Sequence, residues 1–244
     1  MENNAFFSVR PKVVCFDADD TLWRNEEYYQ EAEQRFCDLM AGYCVREKAM
    51  EALYKTEIGN LDLLGYGSKS FTISLIETAL ILTRHQLPNT LLQELIALGK
   101  ENIAPPMELL PHAKEMLLKL APHYRLALAT KGDLRDQERK LERSGLAPFF
   151  EYVSIVSEKN GRSYQKILHD LSLPPVEFLM VGNSFKSDIL PVLELGAQAV
   201  YIPSSVLWMY EHSDPIEHAM LKTITHIGQL PELLLTENSF GHIP

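Results

Sequence analysis

Three aspartates, Asp17, Asp19 and Asp20, stand within four positions directly after the apolar run 13–16. Like charges at short range repel each other and raise one another's pKa, so carboxylates kept ionised at this spacing need a counter-charge. A divalent cation would supply it, and carboxylate oxygens are the hard ligands that Mg²⁺ prefers. The segment therefore predicts a magnesium site at the end of a buried strand. A turn rich in aspartate is the alternative, since short carboxylates also bond to their own backbone.

The run Asp17-Ala18-Asp19-Asp20-Thr21 resembles the first motif of the haloacid dehalogenase (HAD) superfamily, DxDx[TV], which follows the first core strand. The resemblance implies that Asp17 is a nucleophile that attacks phosphorus and forms an aspartyl-phosphate. It implies that Asp19 is the general acid for the leaving group and then the base for water. Dehalogenases and phosphonate hydrolases of the superfamily lack an acid two residues after the nucleophile, so Asp19 favours a phosphatase. Asp20 is interpreted as a turn residue.

Two further positions continue the resemblance, each at the end of a predicted strand. Thr130 matches the second motif, and its hydroxyl and the backbone N–H groups that begin at Lys131 would hold a phosphoryl oxygen. Lys159 matches the third motif and would bring a positive charge to the nucleophile and the phosphate. Lys166, within a predicted helix, is the alternative. Asn160 departs from the family, which often has proline after this lysine.

The fourth motif, in residues 182–188, resembles the family pattern GDxxxxD, with Asn183 in the first acidic position. An amide carbonyl can still bind Mg²⁺, with one negative charge fewer around the ion. Helix capping is the alternative for these side chains. The resemblance implies one magnesium ion, held by side chains and one backbone carbonyl from two motifs: Asp17, the carbonyl of Asp19, Asn183 and Asp188.

Hydrophobic spacing divides the chain into two regions. Residues 24–104 show helical periodicity without a strand pattern and end at two prolines, so they predict an inserted α-helical domain. Residues 1–23 and 105–244 contain five short apolar strands that alternate with helices, which is typical of an α/β fold with a doubly wound, mostly parallel sheet. Such sheets bind ligands beyond the carboxyl ends of their strands, where all four motifs fall. A helical insert between the first two motifs resembles the C1-cap branch of the superfamily. A single larger helical domain is the alternative.

Composition limits the partners and the location. Acidic residues outnumber basic ones by 33 to 23, and no Lys/Arg cluster is present, so we expect no nucleic-acid partner. No apolar run approaches the ~20 residues of a membrane span, and the N-terminus lacks a secretory pattern, so we expect a cytoplasmic protein with no membrane partner. Cys15, Cys37 and Cys44 are too few for a disulfide framework or a zinc site and predict reduced thiols.

The motifs together predict a Mg²⁺-dependent phosphatase that hydrolyses a small phosphorylated metabolite, a phosphomonoester, through an aspartyl-phosphate. A phosphotransferase or mutase acting on sugar phosphates is one alternative. A non-catalytic HAD-fold protein that binds a phospho-ligand is another, and Asn183 favours it. The cap would select the substrate, with candidates in a glycine-flanked turn and just after the first motif: Tyr66, Lys69, Arg24, Tyr28 and Tyr29. Residues 205–244 carry no motif.

Overall fold

The computed structural model describes Phe7, residues 9–214 and residues 216–236. The chain divides into two compact units. The first unit draws its residues from 1–24, 107–131 and 139–244. The second draws its residues from 25–106 and 132–138. The domain boundaries inferred from sequence stay a prediction, and the second unit includes a segment, 132–138, that the predicted insert does not.

A parallel sheet of six strands lies at the centre of the first unit. In chain order the strands are β1 (Val13–Phe16), β2 (Arg125–Lys131), β3 (Tyr152–Val156), β4 (Phe178–Gly182), β5 (Gln198–Tyr201) and β6 (Leu221–Thr223). Their order in the sheet is β3-β2-β1-β4-β5-β6. The predicted α/β fold with a parallel sheet is confirmed. The prediction of five strands was wrong by one, because β6 is three residues long and lacks an apolar run.

Both faces of the sheet are covered. Val14 and Phe16 of β1 pack into one apolar core, whereas Val13 and Cys15 pack into another. Successive side chains of a strand point to opposite faces, so a strand that is buried on both sides reads as a continuous apolar run. The central strand β1 therefore ends inside the protein, and the first residue after it, Asp17, is placed there by the sheet.

Helices of the second unit form its own core. They are α1 (Glu26–Met40), α2 (Arg46–Leu64), α3 (Ser68–Leu82) and α4 (Asn89–Ile103). Each contributes a fully buried apolar side chain to one cluster: Phe36, Leu53, Leu75 and Leu95. The helical periodicity of this region thus corresponds to a packed helical core.

The remaining α-helices are α5 (Ala113–Leu120), α6 (Leu134–Ser144), α7 (Gly161–Leu171), α8 (Leu190–Leu193) and α9 (Leu230–Leu235). The sequence predicts a left-handed helix stop at Gly145, and the φ of 67° after α6 confirms it. The sequence also predicts one helix from Ser187 to Leu195, whereas the structure has a π-helical turn, Phe185–Ile189, followed by the short α8. Pro191 has no N–H to donate, so a regular α-helix would lose a hydrogen bond at this point.

Two further features of the described residues are the state of the cysteines and the character of the helices. Cys15, Cys37 and Cys44 are free cysteines, as expected. Among the described helices, none has the length and apolar character that crossing a membrane requires.

Candidate active site

The first motif forms a tight turn at the end of β1. The Asp17 N–H donates to the carbonyl of Val181 in β4 at 2.8 Å, so the neighbouring strand fixes the backbone of Asp17. The Thr21 hydroxyl lies 2.9 Å from Asp17 Oδ2 and 3.2 Å from Asn183 Oδ1. Asp20 has a φ of 59°, in the left-handed region that aspartate tolerates in turns, which agrees with its interpretation as a turn residue. The first and fourth motifs thus meet at Thr21.

Lys159 joins two carboxylates. Its Nζ donates to Asp17 Oδ1 and, at 2.7 Å, to Asp188 Oδ1. The other oxygen of Asp188 accepts the Ser184 N–H at 3.0 Å. A Cβ on Gly182 would lie 2.3 Å from Asp188 Oδ2, so only glycine allows this carboxylate to approach the end of β4. The sheet thus brings together the first, third and fourth predicted motifs.

Burial makes these three charged side chains depend on one another. Burial alone would lower the pKa of Lys159, but Asp17 and Asp188 outweigh it, and the pKa of the ammonium is raised. Burial also raises the pKa of Asp17, the Lys159 ammonium opposes this, and the Asp188 carboxylate adds to it. Removal of the Lys159 ammonium would therefore leave two buried carboxylates without their shared counter-charge.

Asp19 is held by two side chains that the sequence analysis missed. Lys140 Nζ lies 3.0 Å from Asp19 Oδ1 and 3.1 Å from Oδ2, and Trp23 Nε1 donates to Oδ1 at 2.7 Å. Lys140 is buried on α6, next to the buried Leu141. Only Leu134 and Leu141 of α6 are apolar, so the sequence of this helix does not mark Lys140 as buried.

Thr130 is buried near the end of β2 and pairs in register with Ile155 of β3. The next side chain, Lys131, turns to a different partner: its Nζ donates to Glu211 Oε1 and, at 3.1 Å, to Ser187 Oγ. The predicted phosphate contact of Lys131 depends on its backbone N–H and stays a prediction, as does the role of the Thr130 hydroxyl.

Glu211 is a buried carboxylate that no sequence motif indicated. Its Oε2 accepts hydrogen bonds from the hydroxyls of Ser184 and Ser187, each at 2.6 Å. Burial would raise its pKa, but the Lys131 ammonium and the two hydroxyls outweigh burial and hold the pKa of Glu211 below its usual value. Glu211 is therefore a stable anion beside the fourth motif.

The two candidates for the third motif have different surroundings. Lys166 is 71% exposed and pairs with Asp170 one helical turn later, whereas Lys159 contacts Asp17. Asn160 caps α7: its side chain accepts the Ser163 N–H at 3.1 Å, and the Ser163 hydroxyl accepts the Asn160 N–H at 2.9 Å. This reciprocal capping box is a structural reason for asparagine where the family often has proline.

The specificity candidates lie mostly in the second unit. Lys69 Nζ is 3.0 Å from both carboxylate oxygens of Asp133. Tyr66 stands between two glycines with positive φ, Gly65 and Gly67. The Tyr29 and Ser68 hydroxyls lie 3.0 Å apart. In the first unit, Arg24 pairs with Glu108 at 3.7 Å. These contacts do not test a role in substrate selection, which stays a prediction.

The donor set fits Mg²⁺. The oxygen donors of Asp17, Asn183 and Asp188 belong to one network, linked through Thr21 and Lys159. Within the described ranges, no group of three or more His, Cys, Asp or Glu side chains has the spacing of a metal site. A magnesium site does not need one, because Mg²⁺ is usually bound by one or two carboxylates together with waters and substrate phosphate.

Comparison with known proteins agrees with this geometry. The family model "haloacid dehalogenase-like hydrolase" matches residues 11–196. The chain belongs to this family. The predicted HAD recognition is confirmed, and the matched range includes all four motifs.

Individual relatives refine the comparison. A haloacid dehalogenase-like family hydrolase from Xanthomonas campestris has a similar structure, with a TM-score of 0.83, 33% identity and 94% of each chain covered. The human N-acylneuraminate-9-phosphatase is 28% identical over 150 residues, 59% of each chain. The glyceraldehyde 3-phosphate phosphatase of Methanothermobacter thermautotrophicus is 26% identical, over 91% of this chain and 99% of its own. These relatives support the predicted enzyme class, a phosphoric monoester hydrolase.

Proposed function

We propose that this hydrolase is a Mg²⁺-dependent phosphatase that hydrolyses a small phosphomonoester through an aspartyl-phosphate on Asp17. One observation carries the proposal: the Lys159 ammonium lies between Asp17 and Asp188 at the end of the central strand. A cation beside a buried carboxylate lowers the repulsion between that nucleophile and a phosphate anion.

The first step is a displacement at phosphorus. An Asp17 oxygen forms a bond to phosphorus while the bond between phosphorus and the leaving-group oxygen breaks. Asp19 gives a proton to the leaving-group oxygen. In the second step Asp19 takes a proton from water, which attacks the phosphorus, releases inorganic phosphate and restores the Asp17 carboxylate. Lys140 and Trp23 position Asp19 for both steps, because they bind its oxygens from two directions.

Charge on the transferred group requires further stabilisation. Lys159 supplies one positive charge, and the Thr130 hydroxyl and the Lys131 N–H would donate to the phosphoryl oxygens. Magnesium, held by Asp17, Asn183, Asp188 and the Asp19 carbonyl, would neutralise further charge on the phosphoryl group. Removal of a single donor of this type typically costs about 10²–10³-fold in turnover.

The relatives support a small phosphorylated metabolite as the substrate. The similar phosphatases are named for N-acylneuraminate 9-phosphate and glyceraldehyde 3-phosphate, both small phosphorylated metabolites. The helical unit would act as the cap, with Tyr66 and Lys69 as candidates for contact with the leaving group. This interpretation is preferred to a mutase or to a non-catalytic binding protein, because the relatives are named as phosphatases.

Hydrolysis of p-nitrophenyl phosphate, with Mg²⁺ and with EDTA, tests the proposal. We expect Asp17→Asn to reduce turnover by about 10³-fold or more, as is usual when a nucleophile is removed. Asp20→Asn is the matched control, because asparagine also tolerates the left-handed φ of this position and should retain activity. Mass spectrometry after acid quenching should show phosphate on the peptide containing Asp17.

Turnover that persists in Asp17→Asn, or that EDTA leaves unchanged, contradicts the proposal. A panel of sugar phosphates, nucleoside monophosphates, phosphoglycolate and pyrophosphate then identifies the preferred leaving group.

A further inference from the structure

The segment 208–211 lies outside the four motifs but is attached to the fourth motif at several points. Lys186 Nζ donates to the Tyr210 carbonyl at 2.9 Å and lies 3.4 Å from the centre of the Tyr210 ring. The Trp208 and Tyr210 rings are 5.2 Å apart. Glu211, which ends a 3₁₀ turn, is 6% exposed. Burial of a carboxylate is unfavourable unless the charge is paired and hydrogen-bonded, so the contacts of Glu211 indicate a defined role.

The carboxylate of Glu211 organises the turn that carries the proposed magnesium ligands. It accepts both serine hydroxyl protons at 2.6 Å, so the Ser184 hydroxyl oxygen is oriented to accept the Ser187 N–H at 3.0 Å. The backbone N–H of Ser184 holds Asp188 Oδ2 at 3.0 Å. The contacts therefore run from Glu211 through the serines to Asp188.

Glu211 also pairs with a positive charge, the Lys131 ammonium. Lys131 is the last residue of β2, and its side chain is 16% exposed. Without Glu211, the more exposed Glu158, with Oε1 4.0 Å from Lys131 Nζ, would oppose this charge less strongly, and the ammonium beside the fourth motif would disfavour a cation there. The first acidic position of that motif is Asn183, which contributes no negative charge. With one negative charge fewer among its ligands, the turn is more sensitive to a nearby ammonium, so the pairing of Lys131 with Glu211 matters more.

We propose that Glu211 is a positioning residue of the magnesium site: it holds the turn 183–188 in a geometry that can bind the ion, and it neutralises Lys131. The inference rests on the proposed function, because it assumes that Asp17, Asn183 and Asp188 bind Mg²⁺. Residues behind the metal ligands typically change metal affinity or activity by about 10–100-fold when mutated.

Binding of Mn²⁺, measured by the loss of the free-ion electron paramagnetic resonance signal, tests the inference without relying on turnover. We expect Glu211→Gln to weaken Mn²⁺ binding by about 10-fold or more. Asp214→Asn, at an exposed position three residues after the segment 208–211, removes the same charge and should bind within about twofold of wild type. Activity of Glu211→Gln should recover when Mg²⁺ is raised, which loss of fold would not allow.

Ser184→Ala/Ser187→Ala gives an independent test, because it removes the hydroxyls and keeps the carboxylate. We expect a loss of Mn²⁺ affinity, and a smaller further loss when Glu211→Gln is added than in wild type, because only the neutralisation of Lys131 is then left to lose. This variant also replaces Glu211→Gln if circular dichroism shows that the latter does not fold.

Folded Glu211→Gln that binds Mn²⁺ as tightly as wild type overturns this inference alone, provided that wild type binds Mn²⁺ and hydrolyses p-nitrophenyl phosphate. Wild type that neither binds the ion nor shows turnover overturns the proposed function, and the inference with it.

Discussion

Replacement of Lys159 by methionine removes the ammonium that Asp17 and Asp188 share. The three side chains are only 3%, 8% and 1% exposed, so water has little access to the two carboxylates left behind. Loss of one partner from a buried ion pair typically costs about 3–5 kcal/mol. Methionine keeps most of the length of the lysine stem, so the lost stability reports charge more than a cavity. We therefore expect Lys159→Met to be about 3 kcal/mol less stable than wild type without metal.

The same variant should respond more strongly to magnesium. A cation bound by the two carboxylates would offset part of the lost counter-charge, and a ligand at 100 times its Kd stabilises the folded state by about 2.7 kcal/mol. Urea denaturation followed by circular dichroism, in EDTA and in Mg²⁺, measures both quantities. Turnover should remain reduced by about 10²-fold or more in Mg²⁺, because the ion cannot supply the positive charge at the position of the Lys159 ammonium.

Lys166→Met is the matched control. Its ion pair with Asp170 is exposed and lies one helical turn away, and such pairs contribute about 0.3–0.5 kcal/mol. The reasoning is refuted if Lys159→Met is as stable as wild type in EDTA. It is also refuted if Mg²⁺ stabilises wild type and Lys159→Met equally, because the ion and the Lys159 ammonium would then not share the two carboxylates.

Three further predictions concern other positions. Lys140→Met removes one ammonium that contacts both oxygens of Asp19, a charge-assisted interaction worth about 1.5–3 kcal/mol. We expect kcat/KM to fall by about 10-fold or more for an alkyl phosphate and by less for p-nitrophenyl phosphate, whose leaving group needs little protonation. Equal losses would contradict the positioning role. Burial raises the pKa of Glu33 from 4.5 to about 7. Burial and the nearby Glu33 raise the pKa of Glu57 from 4.5 to about 8. The folded chain therefore binds protons more tightly than the unfolded chain, and its stability should fall as pH rises from about 4.5 to 8. Glu33→Gln/Glu57→Gln should reduce that fall, as urea midpoints at about pH 5.5 and 8 would show. An unchanged pH dependence would contradict the raised pKa values of these two acids. Asn160→Ala should lower the free energy of unfolding by about 1 kcal/mol without changing turnover, because it removes the cap of α7; an unchanged midpoint would show that the capping box is not stabilising.

The parts of the fold that could be predicted depend on local patterns. Continuous apolar runs identify β1 and β4, because a strand buried on both faces has no polar side to show. Glycine after a helix predicts its end, because the left-handed conformation costs glycine little. Two elements lack such patterns. The short strand β6 is placed by its pairing with β5. The π-helical turn at Phe185–Ile189 contains Asp188, which packs closely against Gly182.

The sequence by itself determined the motif residues, their order and the parallel sheet whose strand ends bring them together. Only the tertiary structure decided their partners: Lys140 meets Asp19 across 121 positions of sequence, and Lys131 meets Glu211 across 80. Such partners are set by which helix or segment packs against the end of the sheet, and the spacing along the chain carries no trace of that packing. Local residue types therefore specify what chemistry is available, and the packing of distant segments specifies which charges hold that chemistry in place.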